Sequence, residues 1–495
     1  MAPPSTPATR IEHDSFGELR VPQTAFWGAQ TQRAVQNFQF SSLRMPRGFL
    51  RALGLLKAVA ADTNAELGHL PPRVARAIRK AALLVSSGEY DEHFPVDVFQ
   101  TGSGTSTNMN ANEVIAHVAS EALGKPVHPN DHVNQGQSSN DVIPTALLVA
   151  VELALQQSLL PSLAGLREVV DGRAKELSKV VKTGRTHLMD AMPLTFGQEL
   201  SGWSAALDAA RERFVDCSQR LRRLPWGGTA VGTGINADPG FAPRAIARLS
   251  EETGLAFSSA DNLFHGLSNP DSSVELAGHL NTLASTLFKI SNDLRWMNSG
   301  PLSGLGEIAL PALQPGSSIM PGKVNPVIPE AVAMIAAQVF GNTHTVTFAG
   351  ASGNFQLNVM FPVIAHNLLE SIELLSAACR GLAEKAIAGF VVQEDELQAA
   401  LSRNPILVTA LNPLIGYERA AALAKQAYKE KRAILEVAHE QTDLPLERLQ
   451  NLLDPFALTR GGLGSEAGDH AKPRAARAQK KPPGAKAKAK AQRRR

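Results

Sequence analysis

At 495 residues, 44% of them hydrophobic and only 5% aromatic, the chain can bury a large core in two or three domains. It has no run of about 18 or more apolar residues, and its opening, MAPPSTPATR, lacks the apolar stretch of a signal peptide, so a cytoplasmic protein is expected. The formal charge of +3 is divided unevenly: residues 471–495 hold 11 of the 49 Lys and Arg and none of the 46 acids, leaving a body of net −8 that repels nucleic acid.

In chain order, the first polar, glycine-bearing interruptions of a mostly helical pattern are TGSGTSTNMNANE at 101–113 and HPNDHVNQGQSSND at 128–141. Such interruptions are where chemistry is to be sought. A long amphipathic helix is predicted over about 143–180, then a third interruption, GRTHLMDAMPLT at 184–195, and another helix over about 198–223. Cys217 and Cys379 are too few for a disulfide framework or an all-cysteine cluster, and each falls in a helical pattern where a buried thiol is expected. The stretch GTGINA, residues 232–237, fits a dinucleotide fingerprint, but no strand precedes it and Pro239 closes the would-be helix, so a turn is predicted.

In NPDSSVELAGHLNTLASTLFKISNDLRW, Leu276, Leu280, Leu283, Leu287, Ile290 and Leu294 recur at alternating steps of four and three, one seam of a long helix with Asp271 and Ser272 offered as N-cap. That seam can pack within one chain or between chains. A further long helix is predicted over about 363–390, and helices of this length bury their stripes best against one another. The histidines are scattered and show neither an HExxH spacing nor a nearby Cys pair, so neither metal nor cofactor is implied. The tail, with no large apolar residue, is expected to be disordered, either a solvated appendage or a weak polyanion binder.

The fourth interruption is GSSIMPGKVNP, residues 316–326. It is not a P-loop, because five residues separate Gly316 from Gly322 and Val324 follows Lys323. Its glycines permit unusual backbone angles and its prolines deny regular structure, while a helix predicted from near Pro329 places Lys323 and Asn325 close to a helix N-terminus. A donor-rich loop able to close over a carboxylate results.

This loop resembles the GSSxMPxKxNP signature of the fumarase/aspartase superfamily, and SGTSTNMNANEV, HPNDHVNQGQSSND and GRTHLMDAMPLTFGQE resemble the matching regions of its class II fumarate hydratase family. The resemblance runs from about Thr9 to about Leu463. It implies an all-α, three-domain fold with a central bundle of long helices, a homotetramer with active sites shared among three subunits, and no cofactor. The domains expected are 1–140, a central bundle over 141–395, a small helical domain over 396–463 and the disordered tail over 464–495. The activity implied is reversible hydration of fumarate to L-malate, a step of the tricarboxylic acid cycle, by metal-free anti addition and elimination. The alternatives are aspartate ammonia-lyase and, in a different class, an idle structural homologue with a polyanion-binding tail.

Carried over residue by residue, the resemblance makes Ser317 the base, Lys323 and Asn325 holders of the substrate carboxylate with Thr105 and Asn140, His187 the second acid/base group and Glu330 the carboxylate that orients it. Ser103, Ser138, Ser139, Thr186 and Ser318 fall on substrate-contacting positions, and His128, Asn130 and Asp131 on a second, peripheral dicarboxylate site. Two positions depart from the pattern: Leu302 and Lys125 stand where arginine is expected. The first bears on local packing or an ion pair, and the second keeps the charge but loses the bidentate fork.

Overall fold

The computed structural model describes residues 8–462, so the expectation for residues 464–495 lies outside the described residues. The chain divides into two compact units after Asn404. The first is built on long helices. Leu160–Glu176, Phe196–Leu221, Asp271–Met297, Val327–Gly350 and Phe361–Leu382 pack side by side as a bundle. Arg47–Glu66, Pro72–Ser87 and Thr105–Leu123 pack in sequence, and Ser139–Ala154 joins this layer to the bundle.

The helices start where the sequence supplies oxygen acceptors for orphan amides. Ser138 and Asp141 form a capping box on Ser139–Ala154, and Thr195 and Gln198 form another on Phe196–Leu221. The Asp271–Met297 helix differs from the cap expected for it. Its N-cap is Pro270, which has no side-chain acceptor, and Asp271 instead sits inside the first turn beside Ser272 N and His265. An acid at that position still favours the positive end of the helix.

The leucine seam of this helix packs within the chain: Leu276, Leu280, Leu283, Leu287, Ile290 and Leu294 are all buried in one core. Cys217 and Cys379 are buried free thiols, both pushed up to about 12 by burial. The segment Ser139–Glu176 is long and apolar enough to cross a bilayer, but 72% of its apolar 18-residue window is buried inside the chain. Residues 232–237 form the expected turn, with Gly232, Gly234 and Asn236 at positive φ.

The strands among the described residues are few and short. The one hairpin that carries a predicted site pairs Val181–Thr186 with Met189–Thr195. The second unit is a cluster of short helices, chiefly Tyr417–Glu430, Ile434–Gln441 and Leu446–Leu452, closed over Leu407, Leu411, Leu423, Val437 and Leu449.

Candidate active site

The GSSIMPGKVNP loop runs without regular structure into the Val327–Gly350 helix, two residues earlier than the start predicted at Pro329. Backbone groups pin it. Gly316 N donates to Lys323 O at 2.8 Å, and Asn325 Nδ2 donates to Gly316 O at 2.7 Å. A Cβ on Gly316 would lie 2.3 Å from Lys323 O, so only glycine lets the two ends of the loop come this close. Ser317 Oγ accepts from the amides of Ile319 at 3.2 Å and Met320 at 3.1 Å. Two donors converging on one hydroxyl oxygen stabilise negative charge there, which is what a serine acting as a base requires.

Lys323, Asn325 and Glu330 line a cleft of about 870 Å³ together with Asn292, Arg295 and Ser299. Glu330 stands in the first turn of its helix and shares the cleft wall with the lysine. The ammonium, guanidinium and amide groups suit a carboxylate ligand. Ser318 is exposed beside Ser317.

Two of the other motifs meet each other. Gly104 is the left-handed N-cap of Thr105–Leu123, and a Cβ there would lie 2.8 Å from Ile143 of Ser139–Ala154, so the two helix starts are in close contact. The Ser103 and Thr105 hydroxyls are 2.9 Å apart, and Asn108 Nδ2 donates to Ser139 Oγ at 3.0 Å. Ser138 Oγ accepts from Asn140 N at 3.3 Å, and Asn140 Nδ2 donates to Ala230 O at 2.8 Å. Ser103, Thr105, Ser138, Ser139 and Asn140 are thus one cluster of hydroxyls and amides at two helix N-termini.

Beneath it lie charges that the sequence reading did not single out. Lys57 is fully buried, and its Nζ donates to Asn134 Oδ1 at 3.0 Å and Gln137 Oε1 at 3.1 Å. Burial lowers its pKa to about 7, opposed by the charge of Asp141. Asp141 is also fully buried and accepts from the amides of Ser138, Gly227 and Thr229. Burial raises its pKa, with those backbone hydrogen bonds acting in the opposite direction. Asn134 Oδ1 also takes Asn108 and Asn112, which ties the lysine to Ser139.

His187 and Thr186 stand at the exposed tip of the hairpin. His187 and Leu188 have φ of 56° and 61°, the pair of left-handed residues that a tight two-residue hairpin turn demands. Neither is glycine, so the turn carries strain of about 1 kcal/mol or more per residue. Among the described residues the His187 ring has no hydrogen-bond partner, and no residue of the other three motifs lines the cleft that holds Lys323. Among the described residues no hydrogen bond or ion pair joins the 101–141 cluster, the hairpin tip and the 316–326 loop to one another, so within one chain they form three groups.

His128 caps the turn at Pro129–Val133: its Nδ1 accepts from Asp131 N at 3.1 Å and also lies 3.1 Å from Asp131 Oδ2. Asn130 is exposed beside them. Leu302 is 98% exposed, so the missing arginine removes no packing within the chain, and Lys125 is likewise exposed. The fold also brings Cys217 near Glu275 and His279, a trio with metal-ligand chemistry that the scattered histidines did not suggest. Glu275 is already paired with Arg220, which holds its carboxyl below the ordinary value, and the Cys217 thiol resists ionisation. The trio suits an ion pair beside a buried thiol better than a cation.

A family model described as Lyase matches residues 17–341, and one described as Fumarase C C-terminus matches residues 407–460. A protein named Fumarate hydratase class II from Xylella fastidiosa is 62% identical over 454 residues, 92% of this chain and 96% of that protein. Fumarate hydratase class II 2 of Pseudomonas aeruginosa is 57% identical over 455 residues, 92% of this chain and 99% of its own. The crystal structure of class II fumarase from Schistosoma mansoni superposes with a TM-score of 0.89 at 39% identity, covering 91% of this chain and 99% of that one.

Proposed function

Because the chain belongs to the class II fumarase family of lyases, we propose that it interconverts fumarate and L-malate by acid/base chemistry at its own side chains. The observation that carries the mechanism is the Ser317 hydroxyl, with two backbone amides aimed at its oxygen beside a cleft bearing Lys323 and Asn325. Serine is a weak base, so its alkoxide needs such donors and the nearby ammonium. In the malate-to-fumarate direction Ser317 takes the proton from the carbon beside one carboxylate, and the electron pair moves onto that carboxylate. Lys323 and Asn325, with Thr105 and Asn140, hold the doubly charged aci-carboxylate as it forms. His187, oriented by Glu330, protonates the departing hydroxyl directly or through one water, and the double bond closes.

Three groups of motifs that stay apart in one chain support an active site assembled from several copies, and we place the enzyme as a cytoplasmic homotetramer. The exposed apolar side chains of the longest bundle helices, among them Trp296, Met334 and Phe348, supply surface for that assembly. We assign residues 1–140, 141–395 and 396–463 to three domains, with the reacting groups drawn from the first two. We assign the His128, Asn130 and Asp131 turn to a peripheral dicarboxylate site. The 11 positive charges after residue 470 give the tail weak, sequence-independent affinity for polyanions. Truncation at residue 463 should leave malate turnover unchanged and abolish the salt-sensitive part of RNA binding; loss of turnover would refute that assignment.

The deciding experiment offers L-malate and L-aspartate separately, with and without a chelator, and follows fumarate by its ultraviolet absorbance. Fumarate should form from malate alone, at the same rate in both conditions. Comparable formation from aspartate would make the chain an aspartate ammonia-lyase, and none from either would make it an idle homologue.

A further inference from the structure

The hairpin that carries Thr186 and His187 is not held by its own ladder alone. Its register is regular from Val181↔Thr195 to Thr183↔Pro193, shifts between Thr183 and Arg185, and resumes at Arg185↔Asp190. Gly184 sits at that shift, so close to the opposite strand that a Cβ would lie 2.5 Å from Met192 O. The irregularity disrupts the ladder between the stem and the tip and bends the strand there.

Charged residues grip the strand on both sides of it, and one carboxylate joins them. Lys182 Nζ lies 2.7 Å from Glu199 Oε2 and 2.8 Å from Glu307 Oε2, and Arg185 Nη2 donates to Glu307 Oε1 at 2.7 Å. The Lys182 and Glu307 side chains are 2% and 3% exposed. Two cations and two carboxylates balance, so the cluster can stay buried without net charge.

Glu307 is itself firmly placed. Its amide donates to Met297 O at 2.8 Å, its carbonyl accepts from Gln393 N at 2.9 Å, and the next residues, Ile308 and Ala309, pair with Val392 and Val391. Ile308 and Ala309 also line the cleft that holds Lys323, Asn325 and Glu330. The residue just before this cleft-lining pair thus carries the carboxylate that holds the stem of the His187 hairpin.

We propose that Glu307 is a positioning residue that fixes the Thr186–His187 tip by clamping Lys182 and Arg185 across the break in the hairpin ladder. It does not touch the reacting atoms; it sets the direction in which the exposed imidazole points. The catalytic consequence rests on the role given above to His187, whereas the clamp itself does not.

The test uses the full-length enzyme in four forms: wild type, Glu307→Gln, His187→Asn and the double variant, each checked for oligomer size. Two quantities are read: kcat and KM for malate, and amide hydrogen exchange of the segment 181–195 by mass spectrometry. Glu307→Gln should exchange faster within that segment while the bundle helices keep their protection. It should lower kcat by ~100-fold with KM little changed, the scale of a reacting group displaced by about an ångström. Added to His187→Asn, it should cost less than about two-fold more, because the group it positions is already gone. Unchanged exchange together with an equal kcat loss in both backgrounds would overturn the clamp. Should His187→Asn keep wild-type kcat, the role of His187 fails, while faster exchange in Glu307→Gln would still support the clamp. If Glu307→Gln does not assemble, Arg185→Gln, at a partly exposed position, replaces it in the same cycle, and Arg185→Lys should recover part of the loss.

Discussion

The GSSIMPGKVNP loop and the cluster around Ser138–Asn140 both carry small polar groups, yet they are held in opposite ways. The loop is exposed, and its shape is fixed by neutral backbone hydrogen bonds and the close approach of Gly316 to Lys323. The cluster rests on fully buried charges, Lys57 and Asp141, whose partners are amides and asparagine or glutamine side chains. Backbone pinning holds the loop without using the Lys323 ammonium, and it aims two amides at the Ser317 hydroxyl. Buried charges are costly to desolvate, but they leave a polar network few alternative arrangements. Damage to the loop should therefore appear in turnover, and damage to the charges beneath the cluster in stability.

The largest effect should come from Ser317→Ala. Steady-state assay should show a loss of at least ~1000-fold in kcat, within the range of a lost acid/base group, with an unchanged thermal midpoint. A midpoint lowered together with kcat would break the comparison at its strongest point.

Gly316→Ala should follow. The new Cβ meets the Lys323 carbonyl, so the loop must open, and a displacement of about an ångström costs ~100-fold in kcat. Circular dichroism and size-exclusion chromatography should still report a folded oligomer.

Lys57→Met sharpens the other side. The folded pKa of about 7 lies below the ordinary value of 10.5, so between those values the unfolded chain binds more protons than the folded one. Native stability must then rise with pH through this window in the wild type, by on the order of a few kcal/mol, and the variant must lack that rise. Denaturant unfolding at pH 7 and pH 9 measures it, and equal slopes in the two proteins would remove the buried charge from the account.

The smallest effect belongs to Leu302→Arg. At 98% exposure the side chain has almost nothing to lose, so unfolding free energy should move by less than ~0.5 kcal/mol. A larger shift in denaturant unfolding would show a packing role that the chain itself does not reveal.

The helical bundle and the irregular backbone of residues 316–326 were readable from the residues for physical reasons. Leucines at steps of three and four mark a buried face, and glycine and proline around Lys323 mark an irregular one. The supporting charges were not readable in the same way. Lys57 interrupts the apolar run ALGLLKAVAA, and Lys182 stands in VVKTG, each a lone cation in an apolar stretch. A single charge there can snorkel to solvent or pair with a distant acid, and sequence does not say which. Lys182 and Glu307 are over a hundred positions apart, and only the fold brings them to 2.8 Å. The hairpin at Val181–Thr195 was hidden for a related reason: His187 and Leu188 adopt left-handed angles that sequence rules reserve for glycine and asparagine.

The central claim of the proposed function is that groups separated in one chain meet between chains. Co-expression of Ser317→Ala with His187→Asn, followed by isolation of mixed oligomers, tests it most directly. If the exposed loop of one copy and the hairpin tip of another share a site, the hybrids contain some sites with both groups intact, and their malate turnover should far exceed that of either variant alone. Verified hybrids with no more activity than the two variants would contradict the account and place each complete site within a single chain.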